Sequence, residues 1–145
     1  MSSSNYRRNK AFIDKYRKEL KAMLGDISQI DVRCLNKAVN VGLADAKKNT
    51  PVGQYSGGRI GGFMRKSWAA TPTVKTASGI EKTLINTADY SSYVNYGHRV
   101  VNRKGETVGF VKGKFILEKA MNKVDKQLVK EFKKEVERVN RKYDK

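Results

Sequence analysis

Apolar residues recur along the first third of the chain at the spacing of a helix. Between Tyr6 and Leu24 they fall at Phe12, Ile13, Tyr16, Leu20, Met23 and Leu24, with Arg7, Arg8, Lys10, Lys15, Lys18 and Lys21 on the other face. Steps of three and four residues put side chains on one side of a helix. Gly25 stands where a glycine could end that helix, since it tolerates the left-handed conformation just past a C-terminus. A second helix is predicted from Ser28 to Asn49, with Val32, Leu35, Val39, Leu43 and Ala46 as its stripe. Ala38 and Gly42 are small enough to let a neighbour approach, and Pro51 closes the segment. Residues 1–5 read as a disordered polar tail.

The pattern then changes. Residues 53–62 hold five of the twelve glycines and no apolar period, which predicts a mobile loop. Ser67-Trp-Ala-Ala-Thr71 and Thr73-Val-Lys-Thr76 favour strands, a turn falls at Ser78-Gly79, and Glu81–Asn86 reads as a further strand. Pro72 predicts an edge or a bulge within this pair. A hairpin is expected over residues 99–111, turning at Arg103-Lys-Gly-Glu106. From about Gly113 to Arg141 a long helix follows, with Ile116, Ala120, Val124, Leu128 and Val136 on one side and Leu117, Met121, Phe132 and Val139 widening it. The sum is an α+β domain: two N-terminal helices, a small antiparallel sheet with a hairpin, and a long C-terminal helix, all in one domain over residues 1–145.

Charge adds a statement about partners. Lys and Arg number 31 against 14 Asp and Glu, a net charge of +17. Residues 1–24 carry seven basic and two acidic side chains, and residues 112–145 carry twelve and six. Such a field attracts nucleic acid or an acidic protein surface and weakens with salt. It is equally the composition of two solvated helix faces. Lys10, Lys18, Lys126 and Lys130 are the candidates to face nucleic acid. No apolar run reaches membrane-spanning length, and the first residues lack the apolar core of a signal peptide. The single cysteine, Cys34, sits among apolar helical positions and reads as a small buried hydrophobe.

Candidate catalytic chemistry is sparse. His98 is the one histidine and is expected in an exposed turn, and no metal-ligand or paired-carboxylate pattern accompanies it. The glycine loop is not a phosphate-binding loop, because Phe63-Met64 follows Gly62 where Lys-Ser/Thr would be required. No enzyme activity, cofactor or metal is expected. Tyr90, Tyr93 and Tyr96, spaced three apart ahead of Gly97, share a helical turn. They fit a packing turn between sheet and helices, or an amphipathic patch for subunit contact, where tyrosine is enriched. A stacking platform for nucleic acid fits less well, since no basic residue interleaves them. Trp68 reads as a core anchor.

The order of short motifs resembles a family. Ala44-Asp-Ala-Lys-Lys-Asn-Thr-Pro-Val52, Gly62-Phe-Met-Arg-Lys-Ser67, Tyr90-Ser-Ser-Tyr-Val-Asn-Tyr-Gly97 and Lys114-Phe-Ile-Leu-Glu-Lys-Ala120 follow one another as in the tail-completion or head–tail joining proteins of tailed bacteriophages, the gene-product-ten-type minor tail components. The match runs over about residues 35–140. Asn95 departs from it, standing where the family usually has glutamate, and Lys114 meets Phe115 without the usual proline. The resemblance implies a non-enzymatic virion protein, made in the host cytoplasm and placed at the head–tail interface. It implies a ring, six-fold to match the tail tube, with neighbouring neck and tail proteins as partners and DNA passing through. In that picture Tyr90, Tyr93, Tyr96 and Gly97 support the subunit seam, and Arg59, Arg65 and Arg99 add exposed contacts. The competing reading from charge alone is a free-standing nucleic-acid-binding protein.

Overall fold

A computed structural model of the protein describes residues 3–144. Helix α1 spans Ser3–Asn49 and α2 spans Phe63–Lys66. Strands β1 (Trp68–Ala70), β2 (Val74–Thr76), β3 (Gly79–Glu81) and β4 (Leu84–Asn86) follow. Helix α3 (Ser91–Tyr96), strands β5 (Gly97–Val101) and β6 (Thr107–Lys112), and helix α4 (Ile116–Tyr143) complete the chain. The α+β class stands. The expected break at Gly25 does not occur, however, and the two predicted helical segments run as one 47-residue helix. A single exposed glycine costs a helix only about 1 kcal/mol, and the apolar residues on its two sides keep one phase. The helix begins at Ser3, inside the segment read as a tail, whose Met1 and Ser2 lie outside the described residues.

Helices α1 and α4 pack antiparallel and hold the core. They approach closely at Gly42, where an added Cβ would fall on a methyl of Val124 and within 3.3 Å of the Ala120 carbonyl. Ala38, Val39 and Val124 form one buried cluster beside this crossing. A larger one joins Ala46, Ile116 and Ala120 to Met64, Trp68 and Ala88. Towards the far end of α4 the seam turns polar. Glu131 meets Lys37 at 3.4 Å and Lys134 at 3.7 Å, and Glu135 meets Arg33 and Arg138 at 3.6 and 3.3 Å. Burial pushes the Glu131 carboxyl up, but hydrogen bonds from Lys37 and Gln127 and the charges of Lys37 and Lys134 outweigh it and hold it below the usual range. Cys34 is buried in this seam as expected. Burial pushes its thiol up, and the carboxylates of Glu135, Glu131 and Asp31 add to that.

The strands make three separate two-stranded antiparallel ribbons. The predicted strand Glu81–Asn86 is split, because β3 pairs with β2 and β4 with β1. Between the two ribbons Thr71-Pro72-Thr73 faces Lys82-Thr83, the irregularity that proline predicts. Two bonds bridge the gap: Thr71 N–H donates to the Thr83 carbonyl, and Thr83 N–H donates to Thr71 Oγ1, both at 2.8 Å. Asn36 of α1 accepts from Thr73 Oγ1 and Lys82 Nζ and so anchors this long hairpin to the helix.

Candidate subunit interface

The C-terminus of α1 fixes one side of the site. Thr50 is buried, with its hydroxyl donating to the Ala46 carbonyl at 2.6 Å and accepting from Trp68 Nε1 at 2.7 Å. Arg65 donates from Nε and Nη2 to the Thr50 carbonyl at 3.2 and 2.8 Å, which satisfies an acceptor left over at the helix end. Trp68 is thus the anchor the sequence predicts. Arg65, expected to add an exposed contact, is exposed, and its guanidinium also bonds within the chain.

On the other side α3 and the start of α4 are locked together by Asn95. This side chain is buried, accepts from the Leu117 N–H at 3.0 Å and donates to both oxygens of Glu118 at 2.9 and 3.1 Å. Leu117 and Glu118 are in the first turn of α4, so Asn95 caps that helix from a different element. Backbone bonds from Lys114 N–H to the Val94 carbonyl and from Phe115 N–H to the Asn95 carbonyl complete the clamp. A glutamate at position 95 would set a second carboxylate against Glu118. The departure from the family pattern therefore has a partner in the structure, and sequence spacing gave no sign of it.

The three tyrosines lie on or beside α3, all largely exposed, and turn three ways. Tyr90 lines an open groove of about 740 Å³ with Arg59, Ile60 and the glycine-rich loop. Tyr93 meets the His98 ring edge-on, with centroids 5.9 Å apart, and Tyr96 meets Phe115 likewise at 6.4 Å. His98 is not in an exposed turn but in β5, half-buried, with Nδ1 enclosed and unpartnered. Gly97, just before it, has φ +85, and an added Cβ would land on the Val111 carbonyl and the Gly113 amide. Only glycine fits where the chain turns from α3 into the hairpin.

The β5–β6 hairpin itself projects from the body. Every residue of β6 is exposed, with Val108 at 62% and Phe110 at 68%, and Val100 and Val101 of β5 are exposed as well. Arg99 is in register with Phe110 on this arm. The sequence predicts the hairpin, and the family resemblance implies it as an arm reaching neighbours; the structure adds that β6 is exposed along its whole length. The loop over residues 53–62 carries no regular structure, and its Ile60 is 89% exposed. Tyr90, Tyr93, Tyr96, Gly97, Arg59 and Arg99 therefore fall in one region, made by loop, α3 and hairpin. The four lysines do not come together. Lys126 and Lys130 lie on α4 opposite residues 37–45 of α1, and Lys10 and Lys18 lie about 30 Å or more away along α1 at 1.5 Å per residue.

The sequence pattern of one family, described as "Bacteriophage HK97-gp10, putative tail-component", matches residues 11–97. The chain belongs to this family. No curated protein and no solved structure matches the chain. The matched stretch of the HK97-gp10-like tail component runs from the first turns of α1 to Gly97, so it includes the glycine-rich loop and the tyrosine turn. It also includes Thr50 and Arg65, which bond at the end of α1, and the anchored Trp68. Among the described residues no helix is long and apolar enough to cross a membrane.

Proposed function

We propose that this tail component is a non-enzymatic structural protein of the phage neck that completes the tail and joins it to the head. It forms a closed ring around the DNA path, six-fold to match the tail tube, with neighbouring neck and tail proteins stacked on its faces. The observation that carries this reading is the projecting β5–β6 hairpin, whose Val108 and Phe110 are left mostly exposed. Contiguous apolar surface of this kind marks a protein contact. Tyr93, Tyr96 and Arg99 at its base add the residue types favoured in interfaces. Family membership supplies the tail, and the exposed arm supplies the need for neighbours.

The net charge of +17 favours one other reading, a nucleic-acid-binding protein acting alone. Size-exclusion chromatography with light scattering, at low and high salt and with duplex DNA, separates the two. A discrete ring, or a monomer that closes into one with neck proteins, supports the joining role. A monomer at every salt that coats DNA in proportion to its length replaces it. Within the joining role, Arg59→Glu is expected to leave the monomer folded and to impair assembly, read as unjoined heads and tails by electron microscopy. Normal joining by that variant removes Arg59 from the seam.

A further inference from the structure

The face of α1 that packs on α4 does not stop where α4 stops. Val124 of α4 touches the Gly42 level of α1, and Glu131 and Glu135 meet Lys37 and Arg33, so the last turn of α4 lies near residues 26–30 of α1. Ile30 and Cys34 are buried there. Counting back from them in sevens and along the same face gives Ile27, Met23, Leu20, Tyr16 and Ile13. All five are exposed, and beyond Ile27, which lies level with the last turn of α4, the stripe runs on for about 15 Å of helix. A repeat of seven that is buried for one stretch and bare for the next is a helix seam missing its second half.

A second bare apolar surface lies on the body. A groove of about 490 Å³ between α1, α4 and β3 is lined by Leu35, Ile80, Leu128, Val129 and Phe132, with Cys34 and the charged pair Asp31 and Lys133 also in its wall. Val129 and Phe132 stand exposed on α4 beside the α1 seam. The exposed N-terminal stretch of α1, residues 12–27 (the α1 arm), cannot fill the groove of its own chain, because α1 runs unbroken through Gly25 and itself forms one wall. Arm and groove can therefore meet only between copies. Two arms laid on each other would oppose their cations and leave both grooves bare. An arm in a groove covers both surfaces, and the groove wall offers its cations the Asp31 carboxylate beside a single lysine, Lys133.

We infer that residues 12–27 of one copy dock into the Leu35–Val129–Phe132 groove of a second copy. The contact joins unlike surfaces, so it repeats from copy to copy and either closes or runs on. It deepens the ring reading above and rests on it for closure only. With +17 on each chain, association is expected to strengthen as salt rises, the opposite of binding to nucleic acid.

The test is sedimentation of the full chain at about 0.15 M and about 0.5 M salt, where the screening length falls from about 8 Å towards 3 Å. Leu20→Glu disables the arm and Val129→Glu the groove, both at exposed helical positions, with circular dichroism confirming the fold. The wild type is expected to self-associate, more so at high salt, and each variant alone to be monomeric. An equimolar mixture of the two variants is expected to give a heterodimer and nothing larger, since it contains one intact arm and one intact groove. A wild type that stays monomeric at both salts overturns the contact. So does a Val129→Glu variant that associates normally, which would mean arm against arm. Rings that form from both variants also overturn it while leaving the ring reading in place, whereas open fibres of mixed length from the wild type support it and remove the closed ring.

Discussion

Asn95 does three things with one amide: it caps α4, binds Glu118 and ties α3 to both. Asn95→Ala is expected to cost about 0.5–2 kcal/mol, the usual range for a lost cap. Asn95→Asp keeps the acceptor but places a buried carboxylate beside Glu118. It should cost more than the alanine at neutral pH and recover as acid protonates the pair. Urea denaturation of both at pH 7 and pH 4 checks the order, and an aspartate as stable as wild type at pH 7 would mean the Glu118 contact is immaterial. Gly97→Ala meets two obstacles, the positive φ and the backbone of residues 111 and 113. The backbone conformation alone is worth about 1–3 kcal/mol. A drop in melting temperature is expected, together with faster hydrogen exchange confined to the hairpin.

At the scale of elements, the α1–α4 seam depends on pH through Glu131. Its carboxyl is held below the ordinary range in the folded chain, so its contribution is fully present above the unfolded value and is lost as pH falls through the folded one. Glu131→Gln is expected to lower the melting temperature at pH 7 and to converge on wild type in strong acid. Curves that stay parallel down to about pH 3 would exclude this carboxylate as the source. The elements also mark how far the sequence was legible. Helix α4, the hairpin and the strand pair around Pro72 follow from periodicity and turn chemistry, which act locally. The unbroken α1 was misread because Gly25 looks like a stop signal. The seven-residue step through Ile13, Leu20, Ile27 and Cys34 carries the contrary signal across it. The roles of Asn95, Arg65 and Thr50 were not legible, since each acts on an element remote in sequence. His98 was misplaced for the same reason: only the fold sets Tyr93 against it.

For the whole molecule the length of α1 matters as much as its contacts. Forty-seven residues at 1.5 Å each make a rod of about 70 Å. A compact chain of this size has a radius of gyration near 15 Å, or a sphere roughly half as wide as the rod is long. A single copy therefore carries a large hydrodynamic drag. It is expected to leave a gel-filtration column ahead of globular standards of equal mass, and an elution volume taken alone would report a false dimer. Removing residues 1–25 takes away about a sixth of the chain. The frictional ratio from sedimentation velocity should nonetheless fall to that of an ordinary globular protein. If the ratio is already ordinary with the arm present, α1 is folded back or frayed in solution. In a host cell the same rod sweeps a volume several times that of the body, so each copy probes for neighbours well before their surfaces touch.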